Sequence, residues 1–208
     1  MKNKFTCLNV MRRFFFTAVV LLSVSVLCAQ ERDSARKFVF PKHEIKISYG
    51  DAITVNQIWE ETQYKTNFKS NLSISYSYRH KKWLWFGINV VHYIGAPIDY
   101  HVREYDVDNN YTDYQYTTKD YGFGLIPAIR FSYLNKENTT LYSGIEMAYQ
   151  WIQTHTDGVP NKKAEGLSGH VTYFGCSFYL GKSQKVFLGG EMGYGCRGIF
   201  NIHAGYRF

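Results

Sequence analysis

The chain has 208 residues, 45% of them apolar and 18% aromatic, with 24 Lys and Arg against 17 Asp and Glu. That length suits one domain, and no run beyond the N-terminal region reaches the roughly 20 consecutive apolar residues of a membrane-crossing helix. The net charge of +7 comes in good part from the N-terminus, and without a clustered basic face it gives no support for nucleic acid as a partner.

The first element is a targeting segment. Lys2, Lys4, Arg12 and Arg13 carry positive charge, no acid precedes Glu31, and an apolar run spans Phe14 to Leu27. A charged start, a short apolar run and a small residue at the cut describe a secretory signal peptide, and "LCAQ" predicts cleavage after Ala29. A lipid anchor on Cys28 is the rival reading. Such anchors want a small residue before the cysteine, and Leu27 stands there. Removal of residues 1–29 leaves 20 basic and 17 acidic residues, a net +3.

From His43 onward the period is two, which puts one face of each strand in apolar and the other in polar surroundings. Eight strands are predicted. They run from about His43 to Gly50, Lys69 to Arg79, Trp83 to His101, Tyr111 to Tyr133, Thr140 to Thr154, Leu167 to Leu180, Val186 to Gly195 and Ile199 to Phe208. "HKK", "NKEN" and "GKSQK" are short turns, whereas residues 51–68, 102–112 and 155–166 read as longer polar loops. A short helix with Ile58 and Trp59 against the rim or the membrane interface is expected in the first of these. Cys176 and Cys196 fall at opposite ends of this strand map, beyond the roughly 7 Å reach of a disulfide, which predicts free thiols.

The bulk on each face decides between a soluble barrel and a membrane barrel. One face is continuously aliphatic and aromatic. The other carries Gly87, Gly122, Gly124, Ala128, Gly144, Ala148, Gly175, Ser177, Gly189, Gly193 and Gly205. Small residues fit the narrow inside of an eight-stranded barrel, and large apolar ones fit lipid. Trp83, Trp85, Tyr133, Trp151, Tyr179, Tyr194, Tyr206 and Phe208 lie near strand ends, as interfacial girdles do. The predicted fold is therefore all-β, an eight-stranded antiparallel up-and-down transmembrane β-barrel with its short turns toward the periplasm. The chain divides into a signal peptide at 1–29, a short periplasmic segment at 30–42 and the barrel at 43–208.

"CAQ", "HEIKISYGD", "GEMGYG" and the closing "HAGYRF" resemble the small outer-membrane β-barrel proteins of Gram-negative bacteria, of the OmpX/OmpA-barrel kind, over the whole mature chain. The resemblance implies an outer-membrane location and contact with outer-membrane lipid. It also implies an assembly signal at Tyr206 and Phe208, read by the barrel assembly machinery. His203 departs from the fuller pattern, which has a glycine there.

By parity the inward face also receives Glu44, Lys46, Asn89, Arg130, Glu146, Gln150, Glu191, His203 and Arg207. Charges inside a narrow barrel must pair. This predicts a luminal network of Glu146 and Glu191 with Arg130, Arg207 and Lys46, acting either as polar filler or as a gate against ion flow. His170, Thr172 and Glu191 share the types of a hydrolytic triad without the surrounding residues of one, so no catalytic residue is assigned. Asp106, Asp108 and Asn110 resemble a calcium loop but lack its glycine and its bidentate Glu, and no metal or cofactor site is assigned. "NLS" at Asn71 and "NTT" at Asn138 match glycosylation sequons by chance. Tyr100, Tyr105, Tyr111, Tyr114 and Tyr116 mark a hairpin standing above the membrane. Exposed tyrosines and a free strand edge suit binding of an extracellular protein or surface ligand.

The expected role is a monomeric, non-enzymatic structural or surface-interaction protein. A narrow porin-like channel gated by the luminal charges is the second reading, and a lipid-modifying barrel hydrolase the third.

Overall fold

The computed structural model describes residues 41–62, 64–105, 111–181 and 183–208. The expected signal peptide and the calcium-like Asp106, Asp108 and Asn110 lie outside them. In chain order the elements are β1 (His43–Asp51), α1 (Ile53–Glu61), β2 (Phe68–Lys81), β3 (Leu84–Gly95), β4 (Ile98–Tyr105), β5 (Tyr111–Asn135), β6 (Thr139–Thr156), β7 (Val159–Leu180), β8 (Val186–Gly195) and β9 (Phe200–Arg207).

All pairings are antiparallel. β1 pairs with both β2 and β9, and β3 pairs with β5, so eight strands close into a ring in the order β1-β2-β3-β5-β6-β7-β8-β9. Closure leaves no edge within the ring, which an apolar solvent requires because it offers no hydrogen bonds. Among the described residues β4 pairs with β5 alone, and it prolongs the third strand of the ring. The sequence predicts one strand from Trp83 to His101. The structure breaks it at Ala96 and Pro97, since proline brings no N–H to a ladder.

The two faces are inverted relative to a water-soluble protein. Ile47, Ile74, Phe123 and Ile202 are all more than half exposed, at 53%, 57%, 54% and 69%, while Glu44, Lys46 and Arg207 are buried. Cross-strand pairs such as Ile47 with Ile74 on one side and Ala204 on the other build the outer surface. Only a lipid environment makes that surface favourable. Two members of the expected girdle turn inward instead. Trp85 and Tyr179 are buried in the lumen, because both sit on the inward parity of their strands.

Residues 155–166, expected as a loop, are strand on both sides of a two-residue turn. β6 and β7 continue upward to a tight turn at Asp157 and Gly158, with Thr154 opposite Lys162 and Thr156 opposite Val159. Together with β4 and β5 they form a sheet that rises above the ring, because β8 begins pairing with β7 only at His170. Cys176 is half-buried, Cys196 is buried, and both are free.

Candidate functional site

The lumen is filled in two layers. The layer nearer the turns is ionic. Glu44 on β1 receives two hydrogen bonds from Arg130 on β5, from Nη1 at 2.7 Å and Nη2 at 3.2 Å. The Arg130 guanidinium lies between the rings of Trp85 and Tyr142, 4.4 and 4.7 Å from their centroids. Cation–aromatic contact offsets part of the desolvation of a buried guanidinium. Tyr142 Oη then donates to Glu191 Oε1 at 2.6 Å, and Lys46 pairs with the same carboxylate. Arg197 closes the chain, with Nη2 2.6 Å from Glu191 Oε2 and Nη1 2.8 Å from Glu146 Oε1. Three acids (Glu44, Glu146 and Glu191) thus meet three bases (Lys46, Arg130 and Arg197), so the network is neutral.

Lys46, Arg130, Glu146 and Glu191, named from parity, are brought together here. Arg207 is not part of the set. Its guanidinium lies at the turn end, 3.4 Å from the Tyr179 ring centroid, and donates to the carbonyl of Glu137 at 3.1 Å. Glu44 was legible as an inward residue but not as the partner of Arg130. Arg197 was missed altogether, because it lies in the connection between β8 and β9, where strand parity says nothing.

That connection turns inward for a local reason. Gly195 and Gly198 take positive φ, 133° and 83°, a conformation side chains disfavour. The Asp51 carboxylate accepts the N–H groups of Ile199 at 2.9 Å and Phe200 at 2.6 Å. The Arg197 carbonyl accepts from Asn71 and Asn201. Asn71 of the first sequon therefore faces the lumen. The result drives Arg197 into the barrel, where it is fully buried.

The layer above is apolar, and α1 with its N-cap Ala52 packs into it. Ala52, Val55 and Trp59 pack against Phe68, Val91, Tyr93, Ile126, Ala148 and Ile152 of the wall. Trp59 is 5% exposed. The helix therefore plugs the mouth of the barrel instead of resting on its rim or at the membrane interface. Thr54 Oγ1 donates to the Gly195 carbonyl at 2.6 Å and Asn56 Nδ2 to that of Phe68 at 2.8 Å, fixing the helix to β8 and β2. Beneath it, Ser168 Oγ donates to Gln150 Oε1 at 2.7 Å, Gln150 donates to Tyr93, and Tyr93 Oη donates to the Cys196 carbonyl at 2.8 Å.

His170 and Thr172 are buried beside this layer. The Arg197 N–H approaches His170 Nδ1 at 3.4 Å, and Glu191 is engaged by Lys46, Tyr142 and Arg197. Among the described residues, neither Thr172 nor Glu191 hydrogen-bonds His170. No group of three or more His, Cys, Asp or Glu among the described residues is placed to hold a metal ion.

No protein-family model matches the chain, and no curated protein matches it in sequence. In structure it is similar to Neisserial surface protein A, with 10% identity and a TM-score of 0.50 over 80% of this chain and 97% of that one. It is equally similar to the N-terminal β-barrel domain of Pseudomonas aeruginosa OprF, with 10% identity and a TM-score of 0.50 over 82% and 100%. The fold is that of the eight-stranded outer-membrane β-barrels. Ail, the attachment invasion locus protein of Yersinia pestis, matches at a TM-score of 0.48 and 12% identity, over 82% of this chain and all of that one.

Above the barrel mouth stands the hairpin of β4 and β5. Tyr100 is paired with Tyr116, and Tyr105 with Tyr111. Tyr100 and Tyr114 are 45% and 40% exposed, and the rings of Tyr114 and Tyr116 stack with centroids 6.2 Å apart. β4 offers its outer backbone edge to solvent, since β5 is its only partner strand among the described residues.

Tyr206 and Phe208, the expected assembly signal, lie at the opposite end. Tyr206 and Phe208 face outward with rings stacked at 6.2 Å, and Phe208 stacks on His43 at 5.4 Å. The His43 N–H donates to the Phe208 carbonyl at 3.0 Å, and the Phe208 N–H to that of His43 at 2.9 Å, stitching the last strand to the first.

Proposed function

We propose that the protein is a monomeric, non-conducting anchor in the outer membrane that presents a rigid β-sheet to the outside for interaction with an extracellular protein or surface ligand. The protruding sheet of β4 to β7 carries this reading. Its strands β5, β6 and β7 run unbroken out of the ring, it displays Tyr100, Tyr114 and Tyr116, and it leaves β4 as an open edge. Rigid aromatic side chains make binding surface at low entropic cost, and an open edge can add a strand from a partner. The sealed lumen supports the anchor over the channel, since eight strands leave little bore and α1 and the ion network occupy it. Export by residues 1–29 and insertion through the assembly machinery at Tyr206 and Phe208 belong to the same proposal.

The experiment is surface display in a Gram-negative host, scored by adherence to immobilised cells or matrix. Tyr100→Ser, Tyr114→Ser and Tyr116→Ser together are expected to abolish the adherence that the parent confers, with heat-modifiable gel migration unchanged. Adherence that survives in the triple variant, or is absent from the parent, overturns the reading.

A further inference from the structure

The turn end of the barrel is strongly one-signed. Lys42, Lys81, Lys82, Lys136 and Lys185 are exposed there, and Glu137 is the single exposed acidic side chain among the described residues of that end. The far end mixes signs, with Glu60, Glu61, Asp99 and Asp157 beside Lys162 and Lys163. Two of the turn-end lysines also have a direction. Lys81 Nζ lies 5.8 Å from the centroid of Trp83, and Lys185 Nζ lies 6.0 Å from that of Tyr206. Both rings face outward, 49% and 44% exposed. Trp83 stacks on Phe131 at 6.3 Å, and Tyr206 on Phe208. These rings belong to the belt that sits at headgroup level in a bilayer.

We infer that this rim is a binding surface for anionic phospholipid in the leaflet at the turn end. An ammonium laid over an outward interfacial ring points along the plane of the membrane, at the depth of lipid phosphates. It does not point down the barrel axis toward a soluble partner. Long lysine stems reach that depth while their apolar carbons stay on the rings. A zwitterionic headgroup returns a positive charge close to its phosphate, whereas a glycerol headgroup does not. Five lysines around one rim therefore discriminate by net lipid charge. The role is independent of the sheet at the far end, so either proposal can fail alone.

Trp83 is a native reporter. Trp59 and Trp85 are buried in the lumen, and Trp151→Phe removes the other exposed indole. The Trp151→Phe protein is folded into phosphatidylcholine vesicles containing a minor fraction of brominated phosphatidylglycerol or, separately, brominated phosphatidylcholine. Phosphatidylglycerol is expected to quench Trp83 at a mole fraction lower by on the order of fivefold, an advantage that high salt erases. Lys81→Gln, Lys82→Gln and Lys185→Gln together remove the preference with heat-modifiable migration intact, and Lys119→Gln at the far end leaves it. Equal quenching by the two lipids, or a preference that survives the triple variant, overturns the inference.

Discussion

Arg197→Met tests whether the lumen is a dry, coupled ion network. The guanidinium makes two charge-assisted hydrogen bonds, 2.8 Å to Glu146 and 2.6 Å to Glu191. At about 1.5–3 kcal/mol each, their loss amounts to roughly 3–6 kcal/mol, in line with about 3–5 kcal/mol for breaking a buried pair from one side. Three acids would then face two bases. Glu191 keeps Lys46 and Tyr142. Glu146 keeps nothing, because its other oxygen has no partner among the described residues. Most of the cost should therefore sit on Glu146. Glu146→Gln added to Arg197→Met is expected to restore about 2 kcal/mol, since a neutral amide suffers less from lost pairing than a carboxylate. The assay is urea unfolding from vesicles, followed by tryptophan fluorescence and by heat-modifiable migration. A loss below about 1 kcal/mol for Arg197→Met, or strictly additive effects of the two substitutions, would refute the reasoning and mean that water solvates these charges.

Glu146→Gln alone should not open a conductance in planar bilayers, because α1 seals the mouth separately; single-channel steps in this variant would revive the gate. Trp59→Ala removes the largest side chain of the plug and is expected to cost about 3–5 kcal/mol, read by urea unfolding, with any rise in liposome swelling reporting how well the rest of α1 still seals. Gly175→Ala would drive a Cβ into the Tyr142 ring, and displacement of that ring should destabilise the barrel by about 1–3 kcal/mol in the same measurement. Asp51→Ala leaves the N–H groups of Ile199 and Phe200 without their acceptor. Hydrogen exchange at these two amides should accelerate, with a stability loss of about 1–3 kcal/mol.

Alternation from His43 to Phe208 determined a great deal on its own. It set the number of strands in the ring, which residues face lipid and which face the lumen, and so the inward placement of Lys46, Arg130, Glu146 and Glu191. A period of two is a local property, fixed by the pleat, and every residue of a strand inherits it. Pairing across the lumen is not local. It depends on how β1, β5, β6 and β8 are brought around the ring, and on register shifts such as those in β6 and β7, which no single strand encodes. Hence Glu44 rather than Glu146 met Arg130, and Arg207 stayed at the turn end. Residues outside the strands carried no parity at all. The inward turn of Arg197 rests on two positive-φ glycines and on Asp51, 146 positions away. The entry of α1 rests on an apolar void that exists only after closure. The same nine-residue helix reads as a rim element in the sequence because its buried residues, Thr54, Val55 and Trp59, form a face whose apolar partner is assembled from β2, β3, β5 and β6.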